Sequence, residues 1–157
     1  MTGDWTTAEL DPVRRLRILA AALPGGTYRL RELVLPAPLD RVWAVAADLE
    51  AELPHLLPSV RSFRFTSGTD ADERRTAHAV GVLGQRADFE VVLRPGWCLM
   101  QSRFVLGAMA AVPEGDGTRF ATLGGLRSPA ARLLRPLTGR LGDTALRRFA
   151  DHPRLRG

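Results

Sequence analysis

The chain has 157 residues, one cysteine and a formal net charge of +5. A chain of this length forms one domain of ordinary size and can bury most of its apolar surface without disulfides or metal. Its only cysteine, Cys98, has no second cysteine to pair with, so an intramolecular disulfide is excluded. All of the basic residues are arginine, which also excludes a Schiff-base lysine and a P-loop lysine.

The positive charge is concentrated toward the C-terminus. Arginines and acidic residues number five and three in residues 1–31, nine and twelve in 32–126, and eight and two in 127–157. A basic region can contact nucleic acid or an anionic membrane, but no helix-turn-helix, zinc or RNA-binding signature accompanies these arginines. We therefore expect no nucleic-acid partner, and we attribute the lysine-free, arginine-rich composition to a GC-rich genome, as in actinobacteria.

No stretch of the chain approaches the roughly 18 consecutive apolar residues that a membrane span requires. The first ten residues include Asp4 and Glu9 but no basic residue, unlike a signal peptide. From these observations we predict a cytoplasmic protein with no transmembrane segment.

The first predicted element is a short helix. Asp11 and Pro12 predict its start, because aspartate favours the N-cap and proline the first helical position, and Pro24-Gly25-Gly26 ends it. The simplest interpretation is a packed accessory helix. The alternatives are a cover over a sheet edge, a lid on a cavity, a homodimer contact and a membrane-surface contact.

A second helix is predicted near the middle of residues 33–65. Pro38 and Asp40 suit its start, and Pro54 and Pro58 prevent a long continuation. Between them the apolar residues have the spacing of a single buried helical stripe, namely Leu39, Val42, Trp43, Ala46, Leu49 and Leu53. We therefore expect one amphipathic helix here.

Seven stretches have the residue pattern of strands, several alternating as in a sheet with one dry and one wet face. They are residues 27–35, 59–66, 73–83, 85–93, 97–105, 106–113 and 118–124. The inward face of the fifth is left open, since one side carries Cys98, Met100, Ser102 and Phe104 and the other Trp97, Leu99, Gln101 and Arg103. If the first set faces inward, Gln101 and Arg103 can pair with Asp88 and Glu90 across the outer surface.

From Pro129 to about Asp151 the hydrophobic period becomes helical, which predicts a long final helix. Its buried stripe consists of Ala130, Leu133, Leu134, Leu137, Leu141, Ala145, Leu146 and Phe149. Pro136, Gly139 and Gly142 interrupt the pattern, so we expect a kink or a break there.

Four short motifs surround the predicted second helix: Ala37-Pro38-Leu39-Asp40-Arg41-Val42-Trp43, Asp48-Leu49-Glu50, Leu53-Pro54 and Leu57-Pro58-Ser59-Val60. Together with the later strands, the Gly117-Thr118-Arg119 hairpin and the final helix, they resemble the START-like, SRPBCC superfamily. The resemblance implies an α+β helix-grip fold, in which a curved antiparallel sheet wraps around a long C-terminal helix, with an extra N-terminal helix in this chain. The implied boundaries are 1–26 for a tail and accessory helix, 27–151 for the START-like domain and 152–157 for a C-terminal tail.

The same resemblance implies a cavity between the sheet and the final helix. Small residues on that helix, such as Gly139, Gly142 and Ala145, would leave room for a ligand. The superfamily includes lipid-transfer domains, allergen-like proteins and polyketide cyclase/dehydrase relatives, so the fold does not determine an activity.

The usual signatures of metal and cofactor sites are missing from the sequence. His55, His78 and His152 are dispersed, and none has a second ligand at metal-binding spacing. The chain also lacks the G-x-S-x-G elbow of hydrolases and the G-x-G-x-x-G loop of dinucleotide folds. We therefore predict no metal and no cofactor.

An apolar pocket with a few orienting polar groups is the kind of site that remains. The candidate lining residues, each equally explained as ordinary core, are Trp43, Phe63, Phe65, Phe89, Met100, Phe104, Met109 and Phe120. Arg61, on the strand face of Phe63 and Phe65, would hold an enolate or carboxylate, unless it is a solvated strand-end arginine. His55 would act as acid or base at the cavity mouth, unless it is a surface residue.

The leading hypothesis is binding of a small hydrophobic molecule, such as a polyketide, lipid or isoprenoid-like compound. One alternative is an enzyme of the polyketide cyclase/dehydrase type that promotes aldol cyclisation or dehydration. In such relatives, the resemblance implies, arginine, tyrosine and occasional histidine side chains stabilise enolates, and the single tyrosine, Tyr28, is a departure from that pattern. A further alternative is a partner-binding protein whose core is filled by its own side chains.

Overall fold

The computed structural model describes residues 11–23, 28–127 and 135–156, with the backbone alone for 135–139 and 141. The helices are α1 (Pro12–Ala22), α2 (Leu39–Ala46), α3 (Leu49–Leu56) and α4 (Arg135–Ala150), followed by a 3₁₀ turn, Pro153–Leu155. The strands are β1 (Arg29–Leu35), β2 (Val60–Phe65), β3 (Arg74–Gly81), β4 (Arg86–Arg94), β5 (Trp97–Gln101), β6 (Val105–Glu114) and β7 (Gly117–Leu126).

The seven strands form one antiparallel sheet in the order β1-β7-β6-β5-β4-β3-β2. Strands β2 to β6 each neighbour the next strand along the chain, whereas β1 pairs with the last strand, β7. Because β1 and β2 lie at opposite edges, α2 and α3 must connect them across the sheet. The predicted α+β class and the seven-stranded antiparallel sheet are confirmed.

The inner face of the sheet packs against α2, α3 and α4. One apolar cluster joins Val42 of α2 and Phe120 of β7 to Phe149 of α4, and the two phenyl rings stack with their centroids 4.4 Å apart. A second cluster joins Leu49 and Leu53 of α3 to residues of the strands from β2 to β6. The final helix therefore lies over the inner face, as in a helix-grip arrangement.

The outer face of the sheet is covered by α1. Val13 and Leu16 are buried there against Trp97 and Leu123. The side chain of Asp11 caps the helix by accepting a hydrogen bond of 2.9 Å from the backbone N–H of Arg14. The packed accessory helix is thus confirmed, and it covers a face of the sheet, not the edge proposed as an alternative.

The prediction of one helix between Leu39 and Leu53 is wrong. Helix α2 ends at Ala46, and Asp48 has a non-helical ψ of 66° before α3 begins. Both α2 and α3 bury their apolar residues against the inner face of the sheet, so the hydrophobic spacing continues across the break. Pro54 does not end α3, which continues to Leu56.

Strand β5 turns Cys98 and Met100 toward the inner face, where both are buried with Phe63. The predicted extension of this strand to Val105 is wrong, because β5 ends at Gln101. The conditional pairing of Arg103 with Asp88 or Glu90 also fails, since Asp88 contacts His78 and Glu90 contacts Arg74.

The final helix is continuous from Arg135 to Ala150, so no break occurs at Gly139 or Gly142; its predicted start at Pro129 lies outside the described residues. After it, Leu155 is buried in the inner-face cluster that contains Phe120. The domain boundaries remain predictions. Among the described residues, no helix is long and apolar enough to cross a membrane.

Candidate functional site

Most of the predicted lining residues meet on the inner face. Phe63, Phe65, Phe89, Met100, Met109 and Trp43 belong to or pack against one cluster beneath α3. The ring of Phe63 lies 5.7 Å from that of Phe65 and 6.0 Å from that of Phe89, centroid to centroid. Alternation along the strands, which was visible in the sequence, is the cause of this assembly.

Two of the predicted lining residues lie elsewhere. Phe120 stacks on Phe149 and belongs to the cluster nearer β1. Phe104 is 59% exposed, in the loop that follows β5. It therefore sits at the end of the sheet, outside the apolar clusters of the inner face.

A strip of the inner face carries no side chains. Phe120 faces inward, so alternation along β7 places Thr122 and Gly124 on the same face. The cross-strand partner of Gly124 on β6 is Gly107, and partners in an antiparallel ladder share a face. Among the described residues, a Cβ added at Gly124 would have no atom within 4 Å, and one added at Gly107 would touch only Met100. The strip of these two glycines is thus an open floor beside apolar side chains.

Polar groups border this glycine strip on the side of β1. Arg31 pairs with Thr122 in the ladder and reaches α4, where its Nε donates a hydrogen bond of 2.7 Å to Oδ1 of Asp143. That hydrogen bond, and then the nearby positive charge, hold the pKa of Asp143 below its ordinary value. A guanidinium and a hydroxyl at the edge of an apolar floor can orient a carbonyl or hydroxyl group of a bound molecule.

Arg31 was not among the site residues predicted from the sequence, although the sequence contains a signal for it. Arg31, Leu33 and Leu35 occupy alternate positions of β1, so Arg31 had to share the face of two apolar residues. Gly107 and Gly124 also lie within strands, where glycine commonly marks close approach of a ligand or another backbone. Their pairing, however, depends on the register between β6 and β7.

The predicted room beside Gly142 is occupied. A Cβ at this position would lie 2.5 Å from Nη1 of Arg31, so the guanidinium fills the space that the missing side chain leaves. The expectation that Gly142 leaves room for a ligand is therefore wrong. Ala145 is half-buried, and the environment of Gly139 lies outside the described side chains.

The two predicted catalytic residues have exposed side chains. The backbone carbonyl of His55 accepts a hydrogen bond of 3.0 Å from Nη1 of Arg148. Arg61 lies at the irregularity in register between Val60 and Ser62 in β2. No contact in the described part of the chain joins either side chain to the glycine strip, and their catalytic roles remain predictions.

The side chains of Cys98, His78 and His152 are engaged in packing or pairing. Burial raises the pKa of the Cys98 thiol to about 12, so this residue is a small buried hydrophobe, as expected. His78 lies 2.7 Å from Asp88, and Nε2 of His152 lies 2.9 Å from the Glu52 carboxylate. Within residues 11–23, 28–127 and 135–156, no group of three His, Cys, Asp or Glu side chains is arranged to hold a metal ion.

An apolar surface groove of about 550 Å³ lies at the opposite end of the sheet from Phe104. Trp43 and Leu39 of α2, Pro12 of α1 and the turn at Gly96 contribute to its walls. Its volume suits a small molecule, but Asp40 is the only charged side chain among the described residues that line it. Trp43 thus contacts both the inner-face core and this groove.

No protein-family model matches the sequence, and no curated protein sequence does. Solved structures are similar to it. A protein of Thermus thermophilus is 25% identical, with a TM-score of 0.58 over 82% of this chain and 96% of that one. The Zhui aromatase/cyclase from Streptomyces sp. R1128 is 14% identical, with a TM-score of 0.63 over 79% and 91% of the two chains.

The KanY protein is 13% identical, with a TM-score of 0.64 over 85% of this chain and all of that one. These similarities concern the fold, since identities this low carry no activity with them. The helix-grip fold expected from the sequence is confirmed.

Proposed function

We propose, from the helix-grip fold that this chain shares with START-like proteins, that it binds a small and largely apolar molecule on the inner face of its sheet. The observation that carries this proposal is the strip of Gly107 and Gly124, an open floor on the face that also carries the apolar clusters beneath the helices. A side chain at either position would fill the space that a ligand needs.

The borders of the glycine strip suggest which kind of molecule fits. Met100 and Met109 offer adaptable apolar contacts. Thr122 and Arg31 offer a hydroxyl and a guanidinium on the other side. A polyketide, lipid or isoprenoid-like compound with one oxygen-containing group near its end would contact the methionines through its apolar part and the hydroxyl or guanidinium through that oxygen.

Native mass spectrometry of the freshly purified protein, followed by denaturing extraction and small-molecule analysis, tests this proposal. A co-purifying apolar compound supports it and gives the ligand class. Protein of bare sequence mass that also takes up no fluorescent fatty acid or polyaromatic probe would contradict it, and would favour a partner-binding protein with a filled core.

Replacement of Gly124 by leucine localises the binding. The new side chain would occupy the open floor, where its Cβ meets no atom of a described residue within 4 Å, so we expect loss of the ligand with the fold retained. Gly68→Leu is the matched control, because a Cβ at Gly68 likewise meets no atom of a described residue within 4 Å, but Gly68 lies in the loop after β2 and not on a strand of the inner face. Equal ligand content in the two variants would place the ligand elsewhere.

A cyclase/dehydrase-type enzyme is the second candidate, favoured by the likeness in fold to the Streptomyces aromatase/cyclase. In that case a guanidinium would stabilise an enolate during aldol closure or dehydration. Arg29 and Arg31 are inner-face arginines beside the glycine strip, because Arg29 pairs with Gly124 in the ladder and Arg31 with Thr122, while Arg61 and His55 are the residues predicted from the sequence. Turnover of a demonstrated substrate that is unchanged in Arg61→Ala would remove Arg61 from the mechanism, and the same result in Arg31→Ala would remove Arg31.

A further inference from the structure

The two ends of the sheet carry opposite charges. One end, the basic end, consists of residues 28–30, 59–62, 81–87, 101–105 and 123–127, which the strand register brings together. These residues include Arg29, Arg61, Arg86, Arg103 and Arg127 and no acidic residue. The other end consists of residues 36–38, 66–73, 94–96 and 114–117, with five acidic residues and one arginine.

The arginines of the basic end are not ion-paired with carboxylates of the described residues. None of the five makes an ion pair with a described residue, and all are exposed. By contrast, Arg94 at the acidic end pairs with Glu73, and Arg119 near it pairs with Glu114. The positive charge at the basic end is therefore available to an external anionic partner.

Apolar side chains project from the same end. Of the exposed large hydrophobic residues in the described part of the chain, three belong to its loops: Val82 at 56%, Leu83 at 90% and Phe104 at 59%. Val82 and Leu83 form the tip of the β3–β4 hairpin, a position that polar or glycine residues normally occupy. Apolar residues at a turn tip oppose solubility and point to a surface that meets an apolar environment.

Both loops are held in shape by hydrogen bonds. The buried hydroxyl of Ser102 accepts hydrogen bonds from the backbone N–H groups of Phe104 and Val105, at 3.3 and 3.0 Å. In the hairpin, the N–H of Leu83 donates to Oε1 of Gln85 at 3.0 Å, and Gly84 adopts a φ of +83° that favours glycine. The exposure of Leu83 and Phe104 is thus built into the loops.

We propose that the basic end docks on the surface of an anionic lipid bilayer. Val82, Leu83 and Phe104 would enter the interfacial layer, and the surrounding arginines would contact lipid phosphates. Separate apolar tips ringed by cations suit a bilayer, which accepts insertion at any point, better than a folded acidic protein, which would need matching pockets. The proposal does not rest on ligand binding, although Gly124 of the glycine strip lies at this end.

Co-sedimentation of the full chain with vesicles tests the proposal. We expect binding to phosphatidylcholine vesicles that contain about 30% phosphatidylglycerol, little binding to pure phosphatidylcholine, and release at about 0.5 M salt, because salt screens the attraction between arginine and phosphate. Equal binding to both vesicle types, or none to the anionic vesicles at low salt, would overturn it.

Variants separate the apolar and cationic contributions. Leu83→Ser with Phe104→Ser should weaken anionic-vesicle binding about tenfold or more. Ile18→Ser should not, although Ile18 on α1 is 55% exposed, close to the 59% of Phe104. Arg86→Gln with Arg103→Gln should also weaken it, unlike Arg41→Gln on α2. Thermal unfolding verifies that the variants fold. Vesicle binding unchanged in the Leu83 and Phe104 variant, with equal affinity for soluble polyglutamate, would indicate an acidic macromolecule and overturn the bilayer proposal.

Discussion

Arg31 and Asp143 join the first strand to the last helix, across 112 positions of the chain. The Nε atom of Arg31 donates a hydrogen bond of 2.7 Å to the Asp143 carboxylate, and the Arg31 side chain is only 15% exposed. Because α4 contacts the sheet mainly through β7 and Phe149, this ion pair fixes the helix on the β1 side of the inner face.

Replacement of Asp143 by asparagine should remove a pH-dependent part of the stability. The pKa of this carboxyl is held below its ordinary value of 3.8 in the folded protein. The ionised form is therefore favoured by folding, so its contribution is complete well above pH 3.8 and is lost as the pH falls through the lower, folded pKa. Urea midpoints measured from about pH 7 to about pH 2.5 should show a wild-type advantage over Asp143→Asn that shrinks in acid. An advantage of constant size at every pH would contradict this assignment.

Replacement of Gly142 by alanine should have an effect that depends on Arg31. Alanine in a helix interior is favoured over glycine by about 1 kcal/mol, but its Cβ would lie 2.5 Å from Nη1 of Arg31. We expect Gly142→Ala to raise the free energy of unfolding of the Arg31→Ala protein by about this amount. When Arg31 is present, the same substitution should raise it by less, or should lower it. Equal gains in the two backgrounds, from urea unfolding, would show that the guanidinium moves aside freely.

The sheet and its inner residues could be predicted because each strand signal is local. Alternation in β4 assigned Phe89, Val91 and Leu93 to one face, and the structure buries that face under α3. The turn at Gly115 and Asp116 likewise predicted the hairpin of β6 and β7. The hydrophobic period of a strand and the residues that form a turn each involve only a few neighbouring positions, so strands and turns can be predicted from the sequence alone.

Features that depend on distant partners could not be predicted in the same way. The amphipathic pattern of α1 shows which side of the helix is buried, but not that Trp97 and Leu123 on the outer face bury it. Phe104 continues the alternation of β5, yet the hydrogen bonds to Ser102 end the strand and expose the ring. The glycine strip exists only because the register pairs Gly107 with Gly124.

Loss of the Glu52 side chain should destabilise the protein more than loss of its neighbour Glu50. Glu52 is buried, and its carboxylate lies 2.9 Å from Nε2 of His152, whose Nδ1 accepts a hydrogen bond from the N–H of Arg154. Nδ1 is an acceptor, so Nε2 carries the proton and donates to Glu52. Glu52→Ala removes the acceptor for that buried N–H and should cost about 1–3 kcal/mol in urea unfolding.

Two variants serve as controls for this hydrogen bond. Glu52→Gln keeps an oxygen acceptor, so it should lose less stability than Glu52→Ala. Glu50→Ala removes only a contact of 3.4 Å to the exposed Arg64 and should stay within about 0.5 kcal/mol of wild type. If all three variants unfolded at the same urea concentration, the contact between Glu52 and His152 would contribute nothing measurable.

The thiol of Cys98 should be inert in the folded protein. The residue has no exposed surface, and burial raises its pKa to about 12. The reactive species is the thiolate, so both the protonation state and the surrounding side chains oppose reaction near pH 8. We expect Ellman's reagent to label the native protein slowly and to label it fully after unfolding in guanidinium chloride, with Cys98→Ala as the blank. Rapid labelling of the native chain, at the rate of a free cysteine, would show that β5 opens readily and that the cluster beneath α3 is less stable than its burial implies.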